Sequence, residues 1–504
     1  MRAMVFSCIC CFALSAGVIA AEDADAAHIA RGLFEAAYEQ EKDGQQEQAK
    51  RRYLEILENH PASEVADDAR LALSRMDWPL DEARQLGRMP VDVERMQSAR
   101  LQLEAIRSAH ASSPLAPEAL WRLALLYLEP AAPFRHVDEA SALLGDLTIL
   151  YRRSPFVSQA LVLGARLALD AGRGEKARDL AFELLSRRPH DPLGAQAFLI
   201  MAEVESRQGR WRESLAELGR AQLRAGDDAE ASSEALDRAT LIDRMLYAAS
   251  RRGGKTFLPT EIAWQPLEGK VSGLRTSAAG DTIVVQEKHG QALVFPRGEH
   301  QPTERLIIPD VRHVAQDAWG AFWNASATAI RPPAGREEIR LPEKIEIQDM
   351  AIVGPSSLWV IDARSASVVL LDGQSGVLQR IALSGRSDFH HLCSTAAGGI
   401  WLLDAKAPAL SRVGAKGQTT SLLEIDSQTT RPVDLACDVL GNAYVLDARA
   451  ARVVVFSSFG EVIGRLDLPH SGEKAVKKPT FIAVDRAGRV AVYDAKRKGI
   501  AWFH

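Results

Sequence analysis

Several features that often define a function are scarce in this chain of 504 residues. The motifs HExxH, GxSxG and CxxC do not occur after residue 21, so the common signatures of zinc hydrolases, serine hydrolases and dithiol sites are missing there. The formal net charge is only −5 and no long run of like charge occurs, which argues against a nucleic-acid partner. No apolar segment after residue 21 is long enough to span a membrane, so we expect a soluble mature chain without a transmembrane segment.

The first 21 residues differ from the rest of the chain. Arg2 gives a basic start, residues 4–19 are apolar, and the small residues Ala20 and Ala21 follow. This order predicts a secretory signal peptide over residues 1–21. An uncleaved membrane anchor is the alternative, because the apolar stretch is near the lower length limit for spanning. We therefore expect an exported protein, periplasmic or extracellular.

The two halves of the remaining chain have different periodicities. Residues 27–250 place apolar side chains at helical spacing, whereas from residue 260 the period is two, with β-branched residues and frequent glycine. Residues 251–259 begin with Arg-Arg-Gly-Gly and read as a linker. The sequence predicts a multidomain α + β chain, with an N-terminal all-α helical repeat solenoid and a C-terminal all-β domain over 260–504.

Small, apolar and turn residues recur in the helical half at fixed distances before a proline. The first set is Leu33, Ala37, Gly44, Ala49 and Tyr53 before Pro61, and the second is Ala165, Gly172 and Ala177 before Pro189. A looser set, Ala202, Gly209 and Leu218, has no closing proline. This spacing resembles the tetratricopeptide repeat, in which alanine lets two helices approach and glycine permits the turn. The resemblance implies a solenoid that binds a protein partner, and a spacer that only positions the second domain is the alternative.

The C-terminal half contains six copies of one unit. The first apolar residues of successive copies lie 36 to 47 residues apart, at Leu274, Val314, Met350, Leu392, Leu435 and Ile482. A strand, a glycine turn and further strands in each copy predict a six-bladed β-propeller. The unit resembles the NHL-type repeat, most strongly in the last four copies. The last copy is one strand short, so we expect residues 260–264 to close the ring by pairing with residues 500–503.

Four copies end their second strand with Asp-Ala and a basic residue, the acids being Asp362, Asp404, Asp447 and Asp494. An aspartate accepts hydrogen bonds from the backbone two residues on and so fixes a turn. We interpret these acids as structural turn residues and assign no catalytic residue. A second column, Trp323, Trp359, Trp401 and Tyr444, is interpreted as core between blades, with sugar binding as the alternative if it is exposed.

Two cysteines, Cys393 and Cys437, lie after the predicted signal peptide. In the aligned copies they are one residue out of step, so their side chains point to opposite faces of their strands. On this argument a disulfide is disfavoured, and we expect two small buried thiols and no disulfide.

One column combines two histidines with two aspartates. The residues just before the six apolar positions are Gly273, His313, Asp349, His391, Asp434 and Phe481. Two places further on, five copies carry a small residue, which suits a strand beside the central channel. His313, Asp349, His391 and Asp434 are therefore candidates for binding a divalent metal or a small ligand at one channel mouth. The column resembles the place where propeller-type amidating lyases carry metal-binding histidines, and a purely structural role of the aspartates is the alternative.

Neither half offers a convincing catalytic set. The sequence favours a non-enzymatic scaffold or adaptor of the cell envelope that binds protein partners through its helical repeats and propeller surface, without a cofactor. The alternative is a metal-dependent propeller enzyme, a lyase or lactonase, that uses the His/Asp column. Fold alone does not decide between them.

Overall fold

A computed structural model describes residues 25–79, 92–109, 113–129, 132–248 and 262–503. Within the last range the description omits residues 278–279, 309–310, 317–321, 332–338, 342–344, 354–356, 373–375, 384–388, 396–397, 406–408, 415–418, 425–430, 470 and 473–474. The predicted signal peptide (1–21) and the predicted linker (251–259) lie outside the described residues. The chain divides into two compact units after Val157.

The described residues of the first unit form α1 (25–42), α2 (Gln46–Asn59), α3 (Ala66–Asp77), α4 (Val93–Ala109), α5 (Ala116–Leu128) and α6 (Val137–Leu150). From α2 to α6 each helix packs on the next. Ala37 and Ala49 are fully buried where α1 meets α2, and the rings of Phe34 and Tyr53 lie 5.5 Å apart there. The small side chains allow this close approach of two helices, as the sequence predicts.

The second unit begins with α7 (Val157–Asp170), α8 (Gly174–Arg187), α9 (Gly194–Arg207), α10 (Trp211–Ala225) and α11 (Ala229–Ile242). A π-helical turn, Asp243–Ala248, extends α11. From α8 to α11 each helix packs on the next. The predicted region of paired helices is thus confirmed. None of the helices in the described ranges has the length and apolarity needed to cross a bilayer.

Glycine closes three of the helix pairs. Gly44, Gly172 and Gly209 have φ angles of 75°, 72° and 73°, a left-handed conformation that residues with a Cβ adopt only at a cost. After Gly44, the amide of Gln45 donates to the carbonyl of Gln40 at 2.8 Å, which caps the end of α1. The glycines found from the repeat spacing therefore mark real helix ends.

The rest of the second unit is a six-bladed propeller of four-stranded antiparallel sheets, so the predicted fold class is confirmed. Blade 1 is β2 (Gly273–Thr276), β3 (Thr282–Gln286), β4 (Gln291–Phe295) and β5 (Glu304–Ile307); blade 2 is β6 (His313–Gln316), β7 (Phe322–Ala325), β8 (Ala329–Arg331) and β9 (Ile339–Arg340). Blade 3 is β10 (Ile347–Val353), β11 (Ser357–Asp362), β12 (Ser367–Asp372) and β13 (Gly376–Ala382); blade 4 is β14 (Phe389–Ser394), β15 (Ile400–Asp404), β16 (Ala409–Val413) and β17 (Thr419–Glu424). Blade 5 is β18 (Pro432–Cys437), β19 (Ala443–Asp447), β20 (Arg452–Phe456) and β21 (Val462–Asp467). Blade 6 is β22 (Pro479–Val484), β23 (Val490–Asp494), β24 (Gly499–Phe503) and β1 (Ile262–Pro266).

The ring closes by the predicted exchange of a strand. β1 pairs antiparallel with β24, and Ile262 and Ala263 lie opposite Phe503 and Trp502. The strand from the start of the propeller therefore completes the last blade as its fourth and outermost strand.

Aromatic side chains fill the spaces between blades. Trp323, Trp359, Trp401 and Tyr444 are each at most 1% exposed. Each belongs to a cluster shared with the following blade; Trp401, for example, packs with Leu435 and Val445 of blade 5. The interpretation of this column as core between blades is confirmed, and none of the four is exposed for a sugar.

Helix α11 and the turn after it pack directly on the propeller. Leu241 is fully buried in the cluster that includes Tyr444 and Ile482 of blades 5 and 6. The Arg244 guanidinium donates to the Gly488 carbonyl at 2.8 Å. Arg486 of blade 6 lies 3.6 Å from Glu234 on α11. Helices and propeller share a core within the second unit.

Cys393 and Cys437 form a disulfide, with their Cα atoms 5.7 Å apart, so the expectation of two separate thiols is wrong. The two side chains do point to opposite faces of their own strands, as the register indicates. Successive blades, however, stack face to face, and β14 of blade 4 packs beside β18 of blade 5. Opposite faces of neighbouring blades meet, so the offset of one residue brings the sulfur atoms together.

Candidate functional site

The structure brings the His/Asp column together at the inner strands of four consecutive blades. His313, Asp349, His391 and Asp434 lie on β6, β10, β14 and β18. His313 Nδ1 is 3.5 Å from Asp349 Oδ1, and His391 Nδ1 is 3.0 Å from Asp434 Oδ1 and 3.9 Å from Asp349 Oδ2. The four side chains therefore form one connected row.

A β-bulge precedes the column residue in blades 3 to 6. The pairing register shifts between Ile347 and Asp349, and again between Phe389 and His391, between Pro432 and Asp434, and between Pro479 and Phe481. An extra residue on one strand turns the next side chain relative to the regular pleat. The bulges thus direct the column side chains, which plain alternation along the strand does not reveal.

Arg275 completes the row and was not singled out from the sequence. Its Nη2 lies 2.5 Å from Asp349 Oδ1, although the two residues belong to blades 1 and 3. Gly273, the column residue of blade 1, has no side chain, which leaves space on that face of β2. Arg275 sits at the position where the other five copies carry a small residue. A large basic residue at a position that is otherwise small was the one feature of the sequence that could have pointed to Arg275.

Both aspartates also hold the blades together. Asp349 Oδ2 accepts from the amide of Leu392 in blade 4 at 3.0 Å, and Asp434 Oδ2 accepts from the amide of Ile482 in blade 6 at 2.9 Å. Asp349 Oδ1 accepts in addition from the amide of Met350 at 2.9 Å. Asp349 is therefore hydrogen-bonded on both oxygens, whereas Asp434 is hydrogen-bonded on Oδ2 and faces the His391 ring with Oδ1.

Burial and neighbouring charges determine the protonation state of each side chain in the row. Burial alone would raise the pKa of Asp349, but Arg275 and the two histidines lower it below 3.8, so the carboxylate stays ionised. Burial, which outweighs the opposing effect of Asp349, lowers the pKa of His313 to about 4. For His391 the balance is reversed, because the Asp434 carboxylate and its hydrogen bond overcome burial and raise the pKa above 6.5.

These positions do not form a preformed metal centre. Across the described residues, no three His, Cys, Asp or Glu side chains are placed to hold one ion. In the column, the Arg275 guanidinium occupies the place beside Asp349 that a cation would take. The donor set therefore fits a divalent metal poorly.

The turn aspartates bind backbone amides. Asp447 Oδ1 accepts from Arg431, Arg449 and Ala450 at 3.2, 3.0 and 3.0 Å. Asp362 and Asp494 accept from the amides of Arg364 and Lys496, two residues on, at 3.1 and 2.8 Å. Each also accepts from the loop that enters its blade, at Glu346 and Lys478. Asp404 occupies the equivalent place and is buried like the others. These carboxylates thus hold the first strand against the end of the second.

An apolar groove of about 530 Å³ lies in the first unit, beside the start of α5 and the end of α6. Its walls include Leu115, Ile149, Leu150 and Phe156. Ile149 and Leu150 are both 65% exposed, which is costly for large aliphatic side chains that follow one another. The repeat spacing in the sequence gave no indication of this groove, because none of the aligned repeat positions lies in its walls.

Two arginines also line this groove. Arg152 and Arg153 are exposed, and neither pairs with an acid among the described residues. The acid in the groove, Glu118, is held by Arg75 at 2.7 Å and by Arg122 at 2.8 Å. The groove therefore presents apolar side chains next to two arginines available for pairing.

No family model matches this chain, and no curated protein matches it in sequence. Solved structures that resemble it include a streptogramin B lyase, at 13% identity and a TM-score of 0.38, over 48% of this chain and 97% of that one. Regucalcin from Agrobacterium tumefaciens, a calcium-binding protein, is 15% identical with a TM-score of 0.36, over 47% of this chain and 90% of that one. The architecture, a six-bladed propeller preceded by paired helices, is shown by the strand order and the helices of this chain itself.

Proposed function

We infer that this protein is a non-enzymatic scaffold of the cell envelope, and that its helical region binds an extended segment of a partner protein. The observation that carries this is the groove beside α5 and α6, with Ile149 and Leu150 exposed on its wall. The helix pairs are taken as tetratricopeptide-like, which is supported by the glycine turns and by the buried Ala49 and Tyr53. Repeats of this kind commonly bind polypeptides.

Charge complementarity defines the occupant. An apolar side chain of the partner would cover Ile149 and Leu150, whereas Arg152 and Arg153 favour carboxylates beside it. Glu118 opposes this little, because two arginines already neutralise it. The proposed ligand is a partner segment in which large apolar residues alternate with Asp or Glu.

Export is supported by the disulfide between Cys393 and Cys437, since such bonds persist in oxidising compartments and are rare in the cytosol. The proposed location is therefore periplasmic or extracellular. The metal-dependent lyase or lactonase has less support, because Arg275 fills the cation position beside Asp349.

A peptide-binding experiment tests the proposal. A peptide with Leu and Phe flanked by Glu is expected to bind the full chain in fluorescence anisotropy, and its counterpart with Lys in place of Glu is not. Leu150→Gln and the double change Arg152→Glu with Arg153→Glu should each weaken binding by about tenfold or more, the cost of losing one buried apolar or charged contact. The control changes two exposed arginines of the second unit, Arg173→Glu with Arg212→Glu, and should leave the affinity unchanged. Equal binding of the Lys peptide, or no effect of the groove variants, would contradict the proposal.

A further inference from the structure

The mouth of the propeller channel contains a cavity of about 160 Å³. Arg275, Arg312, His313, Gln348, His391 and Phe481 are among the side chains that line it. This is much more room than the roughly 10–15 Å³ that a single water requires. The cavity therefore has space for a small organic molecule.

The polar groups of this lining that can still form hydrogen bonds are mainly donors. Asp349 accepts from Arg275 and from the amides of Met350 and Leu392, and Asp434 accepts from the amide of Ile482 and lies 3.0 Å from His391 Nδ1. Arg275 uses Nη2 for Asp349 and Nη1 for the carbonyl of Leu274, and both bonds leave further N–H groups on the guanidinium. A ligand that satisfies this lining has to bring acceptor oxygens.

His391 adds a donor whose charge depends on pH. Its Nδ1 is bound to Asp434, and its Nε2 makes no hydrogen bond to any residue in the described part of the chain. Held in this way by a carboxylate, the protonated ring presents Nε2–H as a second, charged donor. The ionisable groups facing His391 are Asp434 on β18, Asp349 on β10, Arg275 on β2 and His313 on β6, with His390 beside it.

An aromatic side chain also lines this cavity. Phe481, the column residue of blade 6, lines the cavity and stacks on Tyr493 with ring centroids 6.2 Å apart. The stacking fixes the ring, so its face is a rigid contact for hydrocarbon. The cavity thus combines a charged donor pair with an aromatic wall.

We propose that the channel mouth binds a small aliphatic carboxylic acid, whose carboxylate lies between the Arg275 guanidinium and His391 Nε2 and whose hydrocarbon part packs on Phe481. This site is separate from the groove of the first unit and does not depend on it. Binding is strongest when His391 is protonated, so the affinity falls as pH rises through its pKa, which Asp434 raises above 6.5. His313 stays neutral over this range, because burial lowers its pKa to about 4.

Calorimetric titration of the full chain with butyrate tests this site. Saturable binding is expected near pH 6, with an affinity about tenfold or more above that of uncharged butyramide, and a loss of about tenfold towards pH 9. These measurements use the unaltered protein and do not depend on whether a variant folds. No saturable heat with butyrate, equal binding of butyramide, or binding that strengthens with pH would each overturn the proposal.

Variants identify the residues. Arg275→Lys keeps the charge beside Asp349 but loses the planar fork, and should weaken butyrate binding by about tenfold while the protein stays folded. The matched control is Arg305→Gln, which alters an exposed arginine on the outer strand of the same blade and should leave the affinity unchanged. His391→Gln should abolish the pH dependence between about pH 6 and 9. If His391→Gln retains that dependence, or Arg275→Lys binds butyrate as the unaltered chain does, the assignment is wrong.

Discussion

The sulfur atoms of Cys393 and Cys437 join the inner strands of blades 4 and 5, although the two side chains point to opposite faces of their own strands. The bond closes a segment with a sequence separation of 44 residues. In a radial array of sheets, a link between neighbouring inner strands restrains the chain where two blades must stay in contact. It is the covalent element of a ring otherwise closed by hydrogen bonds between β1 and β24.

Reduction of this disulfide should destabilise the propeller. Loss of the cross-link frees the unfolded chain, and for a loop of this length the expected cost is up to about 4 kcal/mol. Guanidinium unfolding followed by tryptophan fluorescence, with and without dithiothreitol, measures the shift of the midpoint. The variant Cys393→Ala with Cys437→Ala should unfold at the lower midpoint under both conditions. A wild-type midpoint that does not respond to reductant would contradict the prediction.

The Asp447 carboxylate is expected to stabilise its blade through hydrogen bonds and without any catalytic role. Asp447→Ala removes the buried carboxylate that three backbone amides share and should lower the free energy of unfolding by about 2–4 kcal/mol. Asp447→Asn keeps the Oδ1 that accepts all three and should cost about half as much or less. Urea titration distinguishes the two variants. Equal losses would show that the charge, and not the acceptor, is what matters.

The sequence was most informative where one position recurs in every blade. Six apolar positions and the missing strand of the last copy predicted both the number of blades and the closure of the ring by β1. Side chains alternate between the two faces of a strand, which makes the repeated apolar position recognisable, and an unpaired edge strand has to find a partner. The same alternation of side chains gave the wrong expectation for Cys393 and Cys437, because it describes one strand and says nothing about which face the neighbouring blade presents.

The candidate site could be predicted only in part. His313, Asp349, His391 and Asp434 were found because they share one column. Arg275 was missed because it reaches Asp349 across blade 2, a distance that no repeat alignment encodes. Long side chains that cross a channel depend on the curvature of the whole ring. The groove at Ile149 was missed for a similar reason, since exposure of an apolar residue is a property of its neighbours.

Gly488 is expected to tolerate no side chain, because α11 covers it. A Cβ there would lie 2.7 Å from Leu241 Cδ1, at a φ of 75°. Gly488→Ala should cost about 2–4 kcal/mol, from left-handed strain and overpacking together. The matched control is Gly441→Ala in blade 5, where φ is 81° but the nearest atom, Thr395 Cβ, is at an ordinary 3.5 Å. This control should cost only about 1–2 kcal/mol.

Leu241→Ala tests whether the contact is responsible. Combined with Gly488→Ala it removes the atom that clashes, so the double variant should lose about 1–2 kcal/mol less than the sum of the single losses. Chemical denaturation of the four proteins measures this coupling. Strict additivity would mean that α11 does not press on Gly488 in solution.

Glu203 on α9 should make the stability of the helices depend on acid pH. Arg238 Nη1 and Arg207 Nη2 donate to its two oxygens at 2.9 and 2.6 Å. Although burial alone would raise it, these arginines lower the pKa of Glu203 from 4.5 to about 2. A carboxylate with a lowered pKa stabilises the fold above pH 4.5, and this contribution is lost as pH falls towards 2.

The expected size follows from the difference between the two pKa values, about 2.5, which corresponds to about 3 kcal/mol at neutral pH. Glu203→Gln should therefore destabilise the protein by that order at pH 7, and the difference from wild type should shrink at about pH 3. Urea midpoints at both pH values measure it. Glu213→Gln, a change at an exposed glutamate on α10, is the control and should shift neither midpoint. If the loss in Glu203→Gln were the same at both pH values, it would come from packing of the side chain, and the ion pairs with Arg207 and Arg238 would contribute nothing measurable.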